Sequence, residues 1–397
     1  MRKRTVISLL AMVLAVCTSS VIAKPLKVYI LVGQSNMQGH AMTTTFDYMA
    51  LDPKTAPILK EMQNADGTPR VCDKVWISSI EGDKKGKLTA GYGASTRGPK
   101  IGPEFTFGIY MQKIVNEPIL IIKTAWGGKS LHTDFRSPSG GAYEFNESEL
   151  ETFKKKGTDV AKAKADKIKA TGHYYRLMME YVKSVLKDPK KVCPAYDAKQ
   201  GYELAGCVWF QGWNDMVGRS TYPNRDKPGG YDLYSKLMAH FIRDVRKDLS
   251  TPKMPFVIGV MGVGGVGNEK QNNFRQAMAA PAALEEFKGN VKVVLTEKCW
   301  DAKLGELVDR WNKVKSKSRA LKKDTSLTKA QQKAALDKFK AGIYTPEEVI
   351  LKGKGASNAG YHYLGSAKIL AQIGKAFAEA LDEKTCGTSG CCTIKKK

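Results

Sequence analysis

The stretch LKVYILVGQSNM, residues 26–37, decides how this chain folds. Its core, Val28-Tyr-Ile-Leu-Val32, is an apolar, β-branched-rich run, too short for a buried helix and right for a strand covered on both faces. The run then breaks into Gly33-Gln34-Ser35-Asn36. A buried strand that ends this way carries a serine hydroxyl to the edge of a sheet, where a sharp glycine turn exposes it for nucleophilic chemistry. Gly, Ser and Asn are also common turn residues, so the block alone is compatible with a plain strand-ending turn.

Further short apolar runs follow, predicting strands at Val75–Ser79, Ile119–Lys123, Cys207–Phe210, Phe256–Met261 and Val291–Leu295. Between them lie amphipathic stretches, predicting helices at Tyr174–Leu186, Asp232–Leu249, Asn273–Phe287 and Tyr363–Leu381. In the last, Ile369, Ile373, Phe377 and Leu381 recur every four residues and line one face. Such alternation specifies an α/β fold with a mostly parallel sheet covered on both sides, its site at the carboxyl ends of the strands. Two Lys-rich stretches, 147–169 and 303–354, interrupt the plan and read as surface helices inserted into one domain spanning 24–383.

The N-terminus reads as an export signal over residues 1–23. Arg2, Lys3 and Arg4 precede an apolar Val6–Val16, and Val21-Ile-Ala23 supplies a small-residue cleavage site. No other run has the length and apolarity of a membrane span. Export favours disulfides among Cys72, Cys193, Cys207, Cys299, Cys386, Cys391 and Cys392, an odd set, with the last three in a Cys/Lys tail over 384–397. The formal charge of +25 attracts polyanions; in an exported protein that points to acidic polysaccharide rather than nucleic acid, for which no motif is present.

Three later segments suit the site end of the sheet. Lys123-Thr-Ala-Trp126-Gly127-Gly128 follows a strand, and its paired glycines let backbone N–H groups approach an oxyanion. Trp209-Phe210-Gln211-Gly212-Trp213-Asn214-Asp215 offers a side-chain amide, from Gln211 or Asn214, and an acid that can order the loop. Asn358-Ala-Gly-Tyr361-His362 precedes the final helix and offers an imidazole to take the Ser35 proton. His40 and His132 lie in candidate site loops as substrate contacts, whereas His173 and His240 sit in helical patterns.

Taken in order, Gly33-Gln34-Ser35-Asn36-Met37, Gly127-Gly128, Gly212-Trp213-Asn214-Asp215 and His362 resemble the SGNH hydrolase superfamily. More narrowly, they resemble its sialate O-acetylesterase-like carbohydrate esterases. Ile101-Gly-Pro103-Glu104 is similar to a block such domains place before a helix. The resemblance implies a three-layer α/β/α sandwich of flavodoxin-like class and hydrolysis of acetylated carbohydrate without metal or cofactor. Ser35 would be nucleophile and His362 base. The N–H of Ser35, that of Gly127 or Gly128, and an amide of Gln211 or Asn214 would form the oxyanion hole, with Gln34, Asn36 and Asp215 in support.

One departure stands out: the aspartate usual three residues before the histidine is Ala359 here. Either Asn358 or a backbone carbonyl orients His362 instead, or an acid comes from elsewhere, with Glu297 and Asp301 the nearest candidates. The alternative is a polysaccharide-binding protein with a weakened site. Gly262-Val-Gly264-Gly265-Val-Gly267 matches a dinucleotide-binding pattern, but the next helix starts too late, and a loop bordering the site is expected.

Overall fold

A computed structural model describes residues 24–382; the expected export signal and the Cys/Lys tail lie outside them. Nine strands form: β1 (Leu26–Gly33), β2 (Ala41–Met42), β3 (Val75–Ser79), β4 (Lys84–Lys87), β5 (Lys100–Ile101), β6 (Ile119–Ala125), β7 (Tyr202–Phe210), β8 (Phe256–Val260) and β9 (Val291–Leu295). Seven make one sheet in the order β4-β3-β6-β1-β7-β8-β9, while β2 and β5 pair separately. Every neighbouring pair in the large sheet is parallel except β3 with β4. The expected α/β/α sandwich with a mostly parallel sheet is therefore the observed fold.

Adjacent residues of β7 show why both faces are covered. Trp209 and Phe210 point to opposite sides, as the period of a strand requires. Trp209 meets Phe241, 4.5 Å away on the helix Asp232–Asp248, and Phe210 meets Phe377, 5.4 Å away on the helix Ala367–Leu381. The second layer is completed by the helix Glu104–Ile114, whose Phe107 sits edge-on to Tyr29 of β1 at 5.4 Å.

Several expectations change or gain detail. Two concern the ends of helices. The last helix starts at Ala367 rather than Tyr363, because Tyr363 and Leu364 adopt left-handed backbone (φ 50° and 62°). The expected helix Asn273–Phe287 stops at Ala279, and 3-10 turns follow around Pro281, which has no N–H to continue the ladder. The Lys-rich stretch 303–354 forms three helices (Ala302–Lys323, Lys329–Ala341, Pro346–Gly355) with a small core of their own, where Leu307, Val314 and Tyr344 are buried. Among the described residues no disulfide forms. Cys72, Cys193 and Cys207 are buried thiols and Cys299 a half-buried one, while Cys386, Cys391 and Cys392 lie outside. No described helix is long and apolar enough to cross a membrane.

β1 is the switch point of the sheet: the chain crosses to one side through β6 and to the other through β7. Ligands of open α/β sheets bind beyond the carboxyl ends of the strands at such a point. Ser35 follows β1 directly.

Candidate active site

Gly33 ends β1 because nothing larger fits. A Cβ there would lie 2.2 Å from the Phe210 carbonyl oxygen and 2.7 Å from Met37 Cβ. The chain thus enters the short helical turn Ser35–Gln38 while tucked against β7. As the first residue of that turn, Ser35 has no intrahelical acceptor for its N–H.

The Gln34 side chain fastens this turn to the loop after β7. Its Oε1 accepts from Gly212 N (3.1 Å), Gln211 Nε2 (3.2 Å) and Asn214 N (3.4 Å), and its Nε2 donates to Asn214 Oδ1 (2.9 Å). Asp215 is fully buried and orders the loop after β6. It accepts from Leu131 N (2.8 Å), His132 N (3.0 Å), Gln211 Nε2 (2.7 Å) and Tyr222 Oη (3.0 Å). Gln211 has two amide hydrogens and three acceptors around them: Asp215, Gln34 and the Lys129 carbonyl. It has none left for an oxyanion. Asn214, whose oxygen is held by Gln34, keeps its Nδ2 hydrogens for a ligand. Gly127 and Gly128 are exposed, and their N–H groups make no hydrogen bond among the described residues; Gly128 needs its left-handed φ of 72°.

The His362 loop meets this turn from the far side: Asn36 Nδ2 donates to the Tyr361 carbonyl (3.1 Å). The support for His362 is Asn358, whose Oδ1 lies 3.1 Å from His362 Nδ1. An amide oxygen only accepts, so Nδ1 carries the hydrogen and Nε2 presents the lone pair that a base needs. No hydrogen bond joins Ser35 Oγ to His362; catalytic hydrogen bonds are commonly long in unliganded sites and tighten with substrate. Neither expected acid reaches His362. Glu297 pairs with Arg275 (2.7 Å), and Asp301 pairs with Lys368 (2.7 Å) while capping the helix Ala302–Lys323.

The loop after His362 is held against strain. Tyr363 is buried, accepts from Gly262 N (2.7 Å) and donates to Thr296 Oγ1 (2.6 Å), whose own hydrogen goes to the Val260 carbonyl. These bonds anchor two consecutive left-handed non-glycine residues, each costing on the order of 1–3 kcal/mol. The glycine-rich segment 262–267 is a loop rather than a helix-opening phosphate cradle: the next helix begins only at Asn272, the N–H groups of Gly262 and Gly265 go to Tyr363 Oη and the Gly262 carbonyl, and Arg275 holds the carbonyls of Met261, Val263 and Gly265.

Two further residues shape the site: His40, expected as a substrate contact, and Lys123, for which no role was expected. His40 stacks on His362, with ring centroids 4.0 Å apart and planes within 2°. Its Nε2 is buried with no partner among the described residues, so a proton there would be uncompensated. Burial, then the charges of Lys100 and Lys123, lowers the His40 pKa to about 4. Burial, then His40, lowers that of His362 to about 4. The other is Lys123, buried at the end of β6, whose ammonium donates to the carbonyls of Gln38 (2.8 Å) and Tyr92 (2.9 Å) and to Glu104 (2.7 Å). It thereby clamps the end of the Ser35 turn. His132, by contrast, bonds Thr133 (2.7 Å) and packs on Tyr143 and Tyr222.

The pH consequence has a definite sign. A base works only when neutral, and a lowered pKa keeps His362 neutral through the neutral range. Any turnover that uses His362 is expected to persist on acidification and to fall with a midpoint near about 4. Asn358→Asp places a carboxylate beside Nδ1, favours the imidazolium and should raise that midpoint by roughly 1–3 units. A kcat/KM profile with a native midpoint near the ordinary histidine value, unmoved by the substitution, would contradict this geometry.

Among the described residues no cluster of three or more His, Cys, Asp or Glu is placed to hold a metal ion. No curated protein matches the chain. Two solved structures align weakly. One is a protein from Arabidopsis thaliana (16% identity, 68% of this chain and 86% of that one, TM-score 0.38). The other is a carbohydrate acetylesterase from Xanthomonas citri (14% identity, 68% of this chain and 50% of that one, TM-score 0.35). A family model described as "Carbohydrate esterase, sialic acid-specific acetylesterase" matches residues 25–304, and this span, running from β1 through the loops after β6 and β7, places the chain in that carbohydrate esterase family.

Proposed function

We propose that this carbohydrate esterase is an exported serine enzyme that removes O-acetyl groups from polysaccharide. The observation that carries the reading is the meeting of the Ser35 turn with the His362 loop through Asn36 and Tyr361, with Asn358 directing the Nε2 lone pair outward. Ser35 Oγ attacks the acetyl carbonyl as His362 Nε2 takes its proton. The oxyanion forms among the N–H groups of Ser35 and Gly127 or Gly128 and the Asn214 amide; each such donor is typically worth about 3 kcal/mol. The carbon–oxygen bond to the sugar breaks, and the proton passes from His362 to the departing sugar oxygen. Water then hydrolyses the acetyl-serine by the same path, releasing acetate.

An acidic glycan is favoured by the exposed Lys313, Lys315, Lys317, Arg319, Lys322 and Lys323 on the helix Ala302–Lys323, which packs against the His362 loop. The 1–23 segment supports export. A second reading, glycan binding without turnover, rests on the amide of Asn358 standing where a carboxylate would stabilise the imidazolium.

A fluorophosphonate reagent separates the two. One adduct is expected, on the peptide containing Ser35, together with acetate release from acetylated polysaccharide. A protein that stays unlabelled and releases no acetate would establish the binding-only reading.

A further inference from the structure

Tyr361 presents its ring to solvent at the mouth of the site. The residue is 46% exposed, although its backbone carbonyl is fixed by Asn36 (3.1 Å). The ring stands edge-on to His362, with centroids 4.4 Å apart and planes at 67°. It also lies beside Trp213, at 5.8 Å and 39°. Trp213 opens a short helix that ends at Val217, four residues on and hence on the same side of the turn, and Val217 is 45% exposed. Two aromatic rings and a valine thus form an apolar surface beside the imidazole. Exposed apolar surface next to polar catalytic groups marks a ligand contact more often than chance.

The direction of proton flow says which part of the substrate lies there. Given His362 as base, a clause of the function proposed above, its Nε2 must return the proton to the departing sugar oxygen. The sugar therefore leaves past His362, while the acetyl group points toward Gly127, Gly128 and Asn214. A pyranose is hydroxylated at its rim, but its faces carry C–H groups. Those faces pack on aromatic rings, whose π-surface is negative and apolar.

We propose that the Tyr361 ring, backed by Trp213 and Val217, is the subsite for the pyranose that bears the ester. The test compares hydrolysis of glucose pentaacetate with that of ethyl acetate, which has no ring to stack, both followed by acid release. Tyr361→Ala is expected to lower the ratio of the two kcat/KM values about tenfold, and Tyr361→Phe, which keeps the ring, to hold it within twofold. A ratio unchanged in Tyr361→Ala would overturn the subsite. So would a fall in Tyr361→Phe as large as that in Tyr361→Ala, since the hydroxyl rather than the ring would then carry the contact.

Failure of the catalytic reading is told apart by binding in the Ser35→Ala background. There, glucose pentaacetate is expected to perturb tryptophan fluorescence, and the added Tyr361→Ala to weaken that binding about tenfold. Equal binding with and without the Tyr361 ring would sink the subsite whatever the fate of Ser35.

Discussion

Alanine at Ser35 is expected to slow hydrolysis of a chromogenic acetate ester by on the order of 10⁴–10⁶-fold, the range seen when a serine nucleophile or its base is removed. The expectation follows from position. Ser35 opens the turn at the switch point, 7% exposed, and Gln34 and Gly33 hold its backbone against β7 so that no neighbouring hydroxyl takes its place. His362→Ala should cost a similar factor. The double substitution should cost little more than either single one, because the two groups perform one proton-coupled step and their effects do not add. Strict additivity of the two losses would mean that Ser35 and His362 act independently, and native-like rates in Ser35→Ala would remove it from the mechanism. Circular dichroism keeps the comparison fair, since neither side chain forms part of the core.

The second large effect is on stability. Lys123→Met should destabilise the fold by about 3–5 kcal/mol, the usual penalty for leaving one partner of a buried ion pair alone. Lys123 and Glu104 are 1% and 0% exposed, and removing the ammonium also strands the carbonyls of Gln38 and Tyr92. Burial lowers the Lys123 pKa, and the nearby Glu104 opposes that shift. Adding Glu104→Gln should recover much of the loss, because a buried amide carries no uncompensated charge. Guanidinium unfolding at constant m measures both variants. A single variant within about 1 kcal/mol of native, or a double variant no better than the single, would show that the pair does not hold the Ser35 turn.

The chain states its own plan where burial and periodicity agree. β3 and β9 begin and end where their apolar runs do, and Ile369, Ile373 and Phe377 are all buried on the last helix. Legibility fails where tertiary contacts override local pattern. β4 is Lys-Lys-Gly-Lys, an edge strand with no apolar face to announce it. Tyr363 and Leu364 carry helical character in sequence, yet the bonds of Tyr363 to Gly262 and Thr296 hold them left-handed. Of the site, Ser35 could be read because a polar block follows a buried strand. The support for His362 stayed open among Asn358, a backbone carbonyl, Glu297 and Asp301, since choosing Asn358 over the acids requires knowing that Arg275 and Lys368 claim them. Lys123 did leave a signal, a lone charge within Ile-Leu-Ile-Ile-Lys-Thr-Ala, which a strand buried on both faces tolerates only with a built partner.

The anchoring of Tyr363 has a mechanical consequence. The serine rides on the middle strand of the sheet, whereas the imidazole is moored, through Tyr363, to the ends of β8 and β9, the last two strands on one side. The proposed catalytic pair is thus a gauge stretched across half the sheet. Fraying of that border would separate acid–base partner from nucleophile while the middle of the molecule stayed folded, so heat should silence the enzyme before it melts.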